Sequence, residues 1–169
     1  MILIYAFSNQ WGTNVSRRTY SELQRYLPQS LQINYQVIFG HPRSFANKYI
    51  RNDKYSLIIG LGDFWGEGEK IRIETIARNV YGKKSIYPLA PIKIELNLPE
   101  IEMYEPSVFE ITENMGTYNG NWIAFETQLI INKRNLKTKH LFLHLPKRGV
   151  AKFLAKNIAD LTGANQMLK

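Results

Sequence analysis

Three stretches of this chain are apolar almost without interruption, and they restrict the possible architectures more than any other feature. Residues 1–7 read MILIYAF, residues 55–61 read YSLIIGL and residues 139–145 read KHLFLHL, each followed by loop residues. A strand with one face in water alternates apolar and polar side chains, whereas a strand buried on both faces does not. Runs of this length therefore suit the central strands of a parallel α/β sheet. Apolar residues elsewhere recur at helical spacing: Tyr20, Leu23, Tyr26 and Leu27; Trp122, Ile123, Phe125, Leu129 and Ile130; and Val150, Phe153, Leu154, Asn157, Ile158 and Leu161. Strands alternating with helices predict a doubly wound or closely related three-layer α/β/α fold. Residues 31–39 and 108–112 add two further strands, and residues 91–96, which alternate apolar with charged side chains after Pro91, predict a half-exposed one.

A chain of 169 residues with 44% hydrophobic content can build one core, so a single domain over 1–169 is expected. No repeat, low-complexity tract or linker divides it, and residues 104–107 (YEPS) read as a loop. Cysteine is absent, which excludes disulfides, thiolate metal sites and a cysteine nucleophile. Any metal would have to rest on three histidines and carboxylates, and neither a metal nor a cofactor is expected. The first residues carry no basic leader and no run is long enough to cross a bilayer, so a soluble cytoplasmic protein without membrane contact is expected.

The formal charge of +8 is unevenly placed. Residues 1–132 carry 13 Lys/Arg against 13 Asp/Glu, whereas residues 133–169 carry 9 against 1. Arg148, Lys152 and Lys156 recur four residues apart and line up if that segment is helical, which would suit weak, salt-sensitive contact with nucleic acid or another polyanion. The plainer reading is the solvated outer face of an amphipathic helix whose inner face is Val150, Phe153, Leu154, Ile158 and Leu161.

Four segments hold groups capable of chemistry. Taken singly, each has an ordinary explanation: Glu74 as an exposed strand charge, His144 as a hydrogen-bonded structural histidine, Asn119-Gly120 as a turn, and Phe7 and Trp11 as core aromatics. Taken in order, they resemble the motifs of the pyroglutamyl peptidase (pyrrolidone-carboxylate peptidase) family. Residues 73–79, IETIARN, are similar to E-R-V-A-x-N; residues 115–121, MGTYNGN, to A-G-T-F/Y-x-C-N; residues 141–146, LFLHLP, to G-F-I-H-x-P; and residues 6–12, AFSNQWG, more loosely to G-F-x-P-F-G.

The resemblance implies an α/β/α phosphorylase/hydrolase-like fold with a mixed, largely parallel sheet. It also implies Glu74 and His144 as the catalytic glutamate and general base, with Gly120 at the position of the cysteine nucleophile. Phe7 and Trp11 would be the walls of the ligand pocket, and Asn121 would lie beside it. Glu74, Gly120 and His144 are then expected along one cleft at the C-terminal ends of parallel strands. The chain departs from the family at Thr75, where an arginine follows the glutamate, and over residues 60–66, GLGDFWG, where the family reads G-Q-x-G-G-R.

Glycine has no nucleophilic atom, so three functions remain open. One is a noncatalytic binding protein for a small molecule or peptide N-terminus, such as a pyroglutamyl group, with backbone N–H groups at residues 120 and 121 facing the ligand. Another is a hydrolase in which His144, helped by Glu74, activates water. The last is a polyanion-binding module using the basic C-terminal helix.

Overall fold

The structure, a computed structural model, describes residues 1–8, 14–51 and 55–167. The apolar runs become the sheet centre: β1 (Ile2–Phe7), β3 (Leu57–Phe64) and β8 (Lys139–Pro146) are contiguous and parallel. The main sheet has six strands in the order β2-β1-β3-β8-β4-β7, where β2 is Ile33–Ile38, β4 is Ile71–Glu74 and β7 is Phe109–Thr112. All its pairings are parallel except β4 against β8, so the sheet is mixed and mostly parallel.

Helices cover both faces, and this explains the lack of alternation in the central strands. Alternate residues Ile4, Ile59, Leu141 and Leu143 meet α1 (Val15–Leu23) and α4 (Ala151–Ala164). Their neighbours Leu3, Tyr5, Ile58 and Phe142 meet α3 (Asn119–Lys133) and the segment formed by α2 (Pro42–Phe45) and a π-helical turn at Ala46–Ile50. The half-exposed strand predicted at 91–96 is β6 (Lys93–Glu95). It pairs antiparallel with β5 (Ile76–Arg78) in a separate two-stranded sheet that packs on α3, with Ile94 turned inward.

Three expectations about helices need correction. Val150 and Phe153 are not on the inner face of the last helix: they are 68% and 54% exposed, and the buried side chains are Leu154, Ala155, Ile158, Leu161 and Thr162. The helix starts only at Ala151, which leaves Val150 at its N-cap and Arg148 in the preceding loop, so the three cations do not share one helical stripe. Tyr26 and Leu27 likewise fall in the turn after α1 rather than within it.

Candidate active site

His144 lies two residues from the end of β8, on the face that carries α3, and its register partners are Gly62 of β3 and Arg72 of β4. Glu74 is opposite Phe142 on β4, one diagonal step from His144, and this cross-strand diagonal is within reach of long side chains. Its Oε1 is 2.7 Å from His144 Nδ1. Glu74 is fully buried, and its other oxygen, Oε2, has no hydrogen-bond partner among the described residues. With the carboxylate ionised, Nδ1 must carry the proton and donate it, which leaves the Nε2 lone pair directed away from Glu74. Phe142 supports the ring edge-on, with centroids 5.1 Å apart.

Two glycines make room for this imidazole. A Cβ at Gly62 would stand 2.9 Å from His144 Cδ2, and a Cβ at Gly120 would stand 2.7 Å from Nε2. Both separations are below ordinary carbon contact, so neither position accepts a side chain while the ring stays where it is. Asn119-Gly120 is thus no turn: the two residues open α3, whose first-turn N–H groups have no intrahelical acceptor and no side-chain cap. Tyr118 is the N-cap residue, and no acidic side chain occupies the first turn.

A cavity of about 590 Å³ opens here, at the C-terminal ends of β1, β3 and β8. Phe7, Phe64, Trp65 and Tyr118 supply aromatic walls, and Asp63, Gly120 and His144 face it as well. Gly120 and His144 are therefore brought together on its wall, with Phe7 nearby. Glu74 stands one rung deeper on the antiparallel strand, behind the imidazole rather than along the cleft. Asn121 is fully buried, and its side-chain amide binds backbone: Oδ1 accepts from Arg78 N at 2.7 Å, and Nδ2 donates to Arg78 O at 2.8 Å and Val80 O at 2.7 Å. It fastens β5 to the start of α3. Trp11 lies outside the described residues.

Asp63, unassigned by sequence reasoning, is fixed by a hydrogen bond from Ser16 N to its Oδ1 at 2.8 Å, in the first turn of α1. An acid beside a glycine at the end of a buried strand was the available signal. Among the described residues no group of three or more His, Asp or Glu side chains is placed to hold a metal ion, and no helix is long and apolar enough to cross a membrane.

The sequence matches no protein-family model and no curated protein. In fold the chain is similar to a pyrrolidone carboxyl peptidase from Thermococcus litoralis, with TM-score 0.76, 16% identity, and coverage of 98% of this chain and 93% of that one. The pyrrolidone carboxyl peptidase of the keratin-degrading bacterium Fervidobacterium islandicum AW-1 gives TM-score 0.79 at 15% identity, covering 98% and 97%. A mutant of the Pyrococcus furiosus pyrrolidone carboxyl peptidase gives 0.79 at 19% identity, covering 98% of both chains. The chain thus has the α/β fold of these peptidases over nearly its whole length.

Proposed function

We propose that this chain is a noncatalytic member of the pyroglutamyl peptidase family that keeps the pocket as a binding site for a pyroglutamyl or similar small group at a peptide N-terminus. One observation carries the reading: the would-be Cβ at position 120 lies 2.7 Å from His144 Nε2, so the imidazole sits where a nucleophile-bearing side chain would need room. Covalent catalysis requires an atom that attacks the carbonyl and a base that relieves it of its proton. Here the base is retained without an atom to serve. The aromatic walls and the uncapped start of α3 can still hold a flat group and its carbonyl oxygen.

A second reading is favoured by the Glu74–His144 pair. A fully buried carboxylate with one oxygen unpartnered among the described residues costs stability, and a pair held at that cost is what a water-activating base requires. Nε2 would take a proton from a water whose oxygen adds to the scissile carbonyl while Glu74 steadies the imidazolium, and the imidazolium would return that proton to the departing amine nitrogen as the C–N bond breaks. Polyanion binding is supported less, since Arg148 stands outside α4 and Lys156 already pairs with Asp160 at 2.9 Å.

Turnover separates the first two. A chromogenic pyroglutamyl amide is expected to be released no faster by this chain than by a folded His144→Ala control, while short peptides bind saturably through their N-terminal residue. His144-dependent turnover would refute the noncatalytic reading and establish water activation.

A further inference from the structure

The cavity brings no cation of its own to a ligand. Among the described residues that line it, Asp63 is the acid, His144 is the other titratable side chain apart from the Tyr118 phenol, and no Lys or Arg contributes. Two neighbouring cations, neither of them a lining residue, lie over rings of its wall. Arg72 lies over the Phe64 ring, 3.3 Å from its centroid, and its Nε donates to Glu110 at 2.7 Å. Lys147 lies over the Trp65 ring at 3.8 Å. Asp63 accepts from a backbone N–H and, among the described residues, pairs with no Lys or Arg; burial raises its carboxyl pKa above the ordinary value despite the opposing hydrogen bonds from Ser16 and Val15 and the nearby His144. A positive charge is the missing partner.

The walls suit the same chemistry. Aromatic faces attract cations through their quadrupoles, and two of these four rings already hold one of the chain's own. Across His144, the uncapped N–H groups that open α3 are suited to a carbonyl or carboxylate oxygen. A fixed carboxylate and aromatic walls, together with first-turn backbone N–H groups that are uncapped among the described residues, match the two ends of a residue with a free amino group.

We propose that the cavity selects a ligand bearing a protonated amine, such as a peptide N-terminal residue or small amino amide, over a neutral lactam, with Asp63 as the counter-charge. This rests on the reading of the cavity as a site for a peptide N-terminal group, and among the groups which that reading allows it selects the free amino terminus in place of the pyroglutamyl ring. A matched pair of probes tests it. L-Prolinamide and L-pyroglutamamide share a five-membered ring and a carboxamide, but at neutral pH the first carries a protonated ring nitrogen and the second a lactam.

Calorimetric or NMR titration is expected to show prolinamide binding more tightly. Asp63→Asn, which keeps an acceptor for Ser16 N, should weaken prolinamide by roughly tenfold to a hundredfold, the loss of one charge-assisted contact, and leave pyroglutamamide nearly unchanged. Should that variant not fold, the preference of the unaltered protein should fade as pH falls and Asp63 takes up its proton. Tighter binding of pyroglutamamide, or indifference of both probes to Asp63, would overturn the amine inference while leaving the ligand site standing. Failure of both probes to bind, with His144 and Trp65 resonances unperturbed by either, would remove the ligand site as well.

Discussion

His144→Ala should destabilise this protein far more than loss of a pocket-lining side chain normally does, because it orphans Glu74. The carboxylate is fully buried, its Oε1 bonds His144 Nδ1 at 2.7 Å, and its Oε2 has no other partner among the described residues. Removing one member of a buried pair costs about 3–5 kcal/mol, since the charge left behind keeps its desolvation penalty and loses its compensation. A chain of this size loses roughly 2–4 °C of melting temperature per kcal/mol, so a fall of about 6–20 °C is expected. Urea unfolding should show a lower midpoint at an unchanged slope. The charge can be isolated by a cycle: in a Glu74→Gln background the same His144→Ala change should cost less, by about 1–3 kcal/mol. A cost below about 1 kcal/mol, or equal costs in both backgrounds, would show that His144 does not compensate the buried carboxylate and would refute the reasoning.

His140 is fully buried and burial lowers its pKa from the ordinary 6.5 to about 3, so below pH 6.5 the unfolded chain binds a proton that the native one refuses. Stability should therefore fall between pH 6.5 and about 3, and His140→Leu should flatten that limb of the urea midpoint against pH; an identical acid limb in the variant would count against the assignment. Asn121→Ala removes three backbone hydrogen bonds to residues 78 and 80 and should cost about 2–4 kcal/mol in urea unfolding without touching the cavity wall, whereas a change near zero would mean β5 is fastened by other contacts. Gly120→Cys should give a thiol that iodoacetamide alkylates and a displaced His144 ring in NMR spectra, but negligible release from a pyroglutamyl amide; robust turnover would show that the site needs only the missing sulfur.

What the sequence could reveal about the fold followed from which faces are buried. β1, β3 and β8 read correctly because burial on both sides erases alternation, and a run of six to eight apolar residues has few other uses. The four residues of β4, with a charge at every second position, carry no comparable signal, and nothing local states that this strand runs against β8. That orientation is a long-range choice, and it is why Glu74 lies behind His144 instead of beside the cleft. The last helix misled for the opposite reason. Helical spacing is satisfied by Val150 and Phe153, but the helix begins one residue after Val150, and the face that meets the sheet is centred on Leu154, Ile158 and Leu161.

At the site, motif order singled out Glu74, Gly120 and His144, and in the structure His144 touches Glu74 and borders Gly120. Motif order could not indicate that Asn121 spends its amide on the backbone 43 residues away, nor that Asp63 is held by a helix start 47 residues before it. Such partners exist only after folding. The two glycines carry the deeper consequence. His144 sits between Gly62 and Gly120, each of which would strike the ring if it bore a Cβ, so the histidine position and the missing side chain at 120 form one arrangement. A thiol placed at 120 would have to push the imidazole aside, and the imidazole is tied at 2.7 Å to a buried carboxylate that has no other partner among the described residues. A nucleophile introduced at 120 therefore opposes the bond that holds the imidazole, and under the proposed reading peptidase chemistry would require the backbone around positions 62 and 120 to shift together with the substitution.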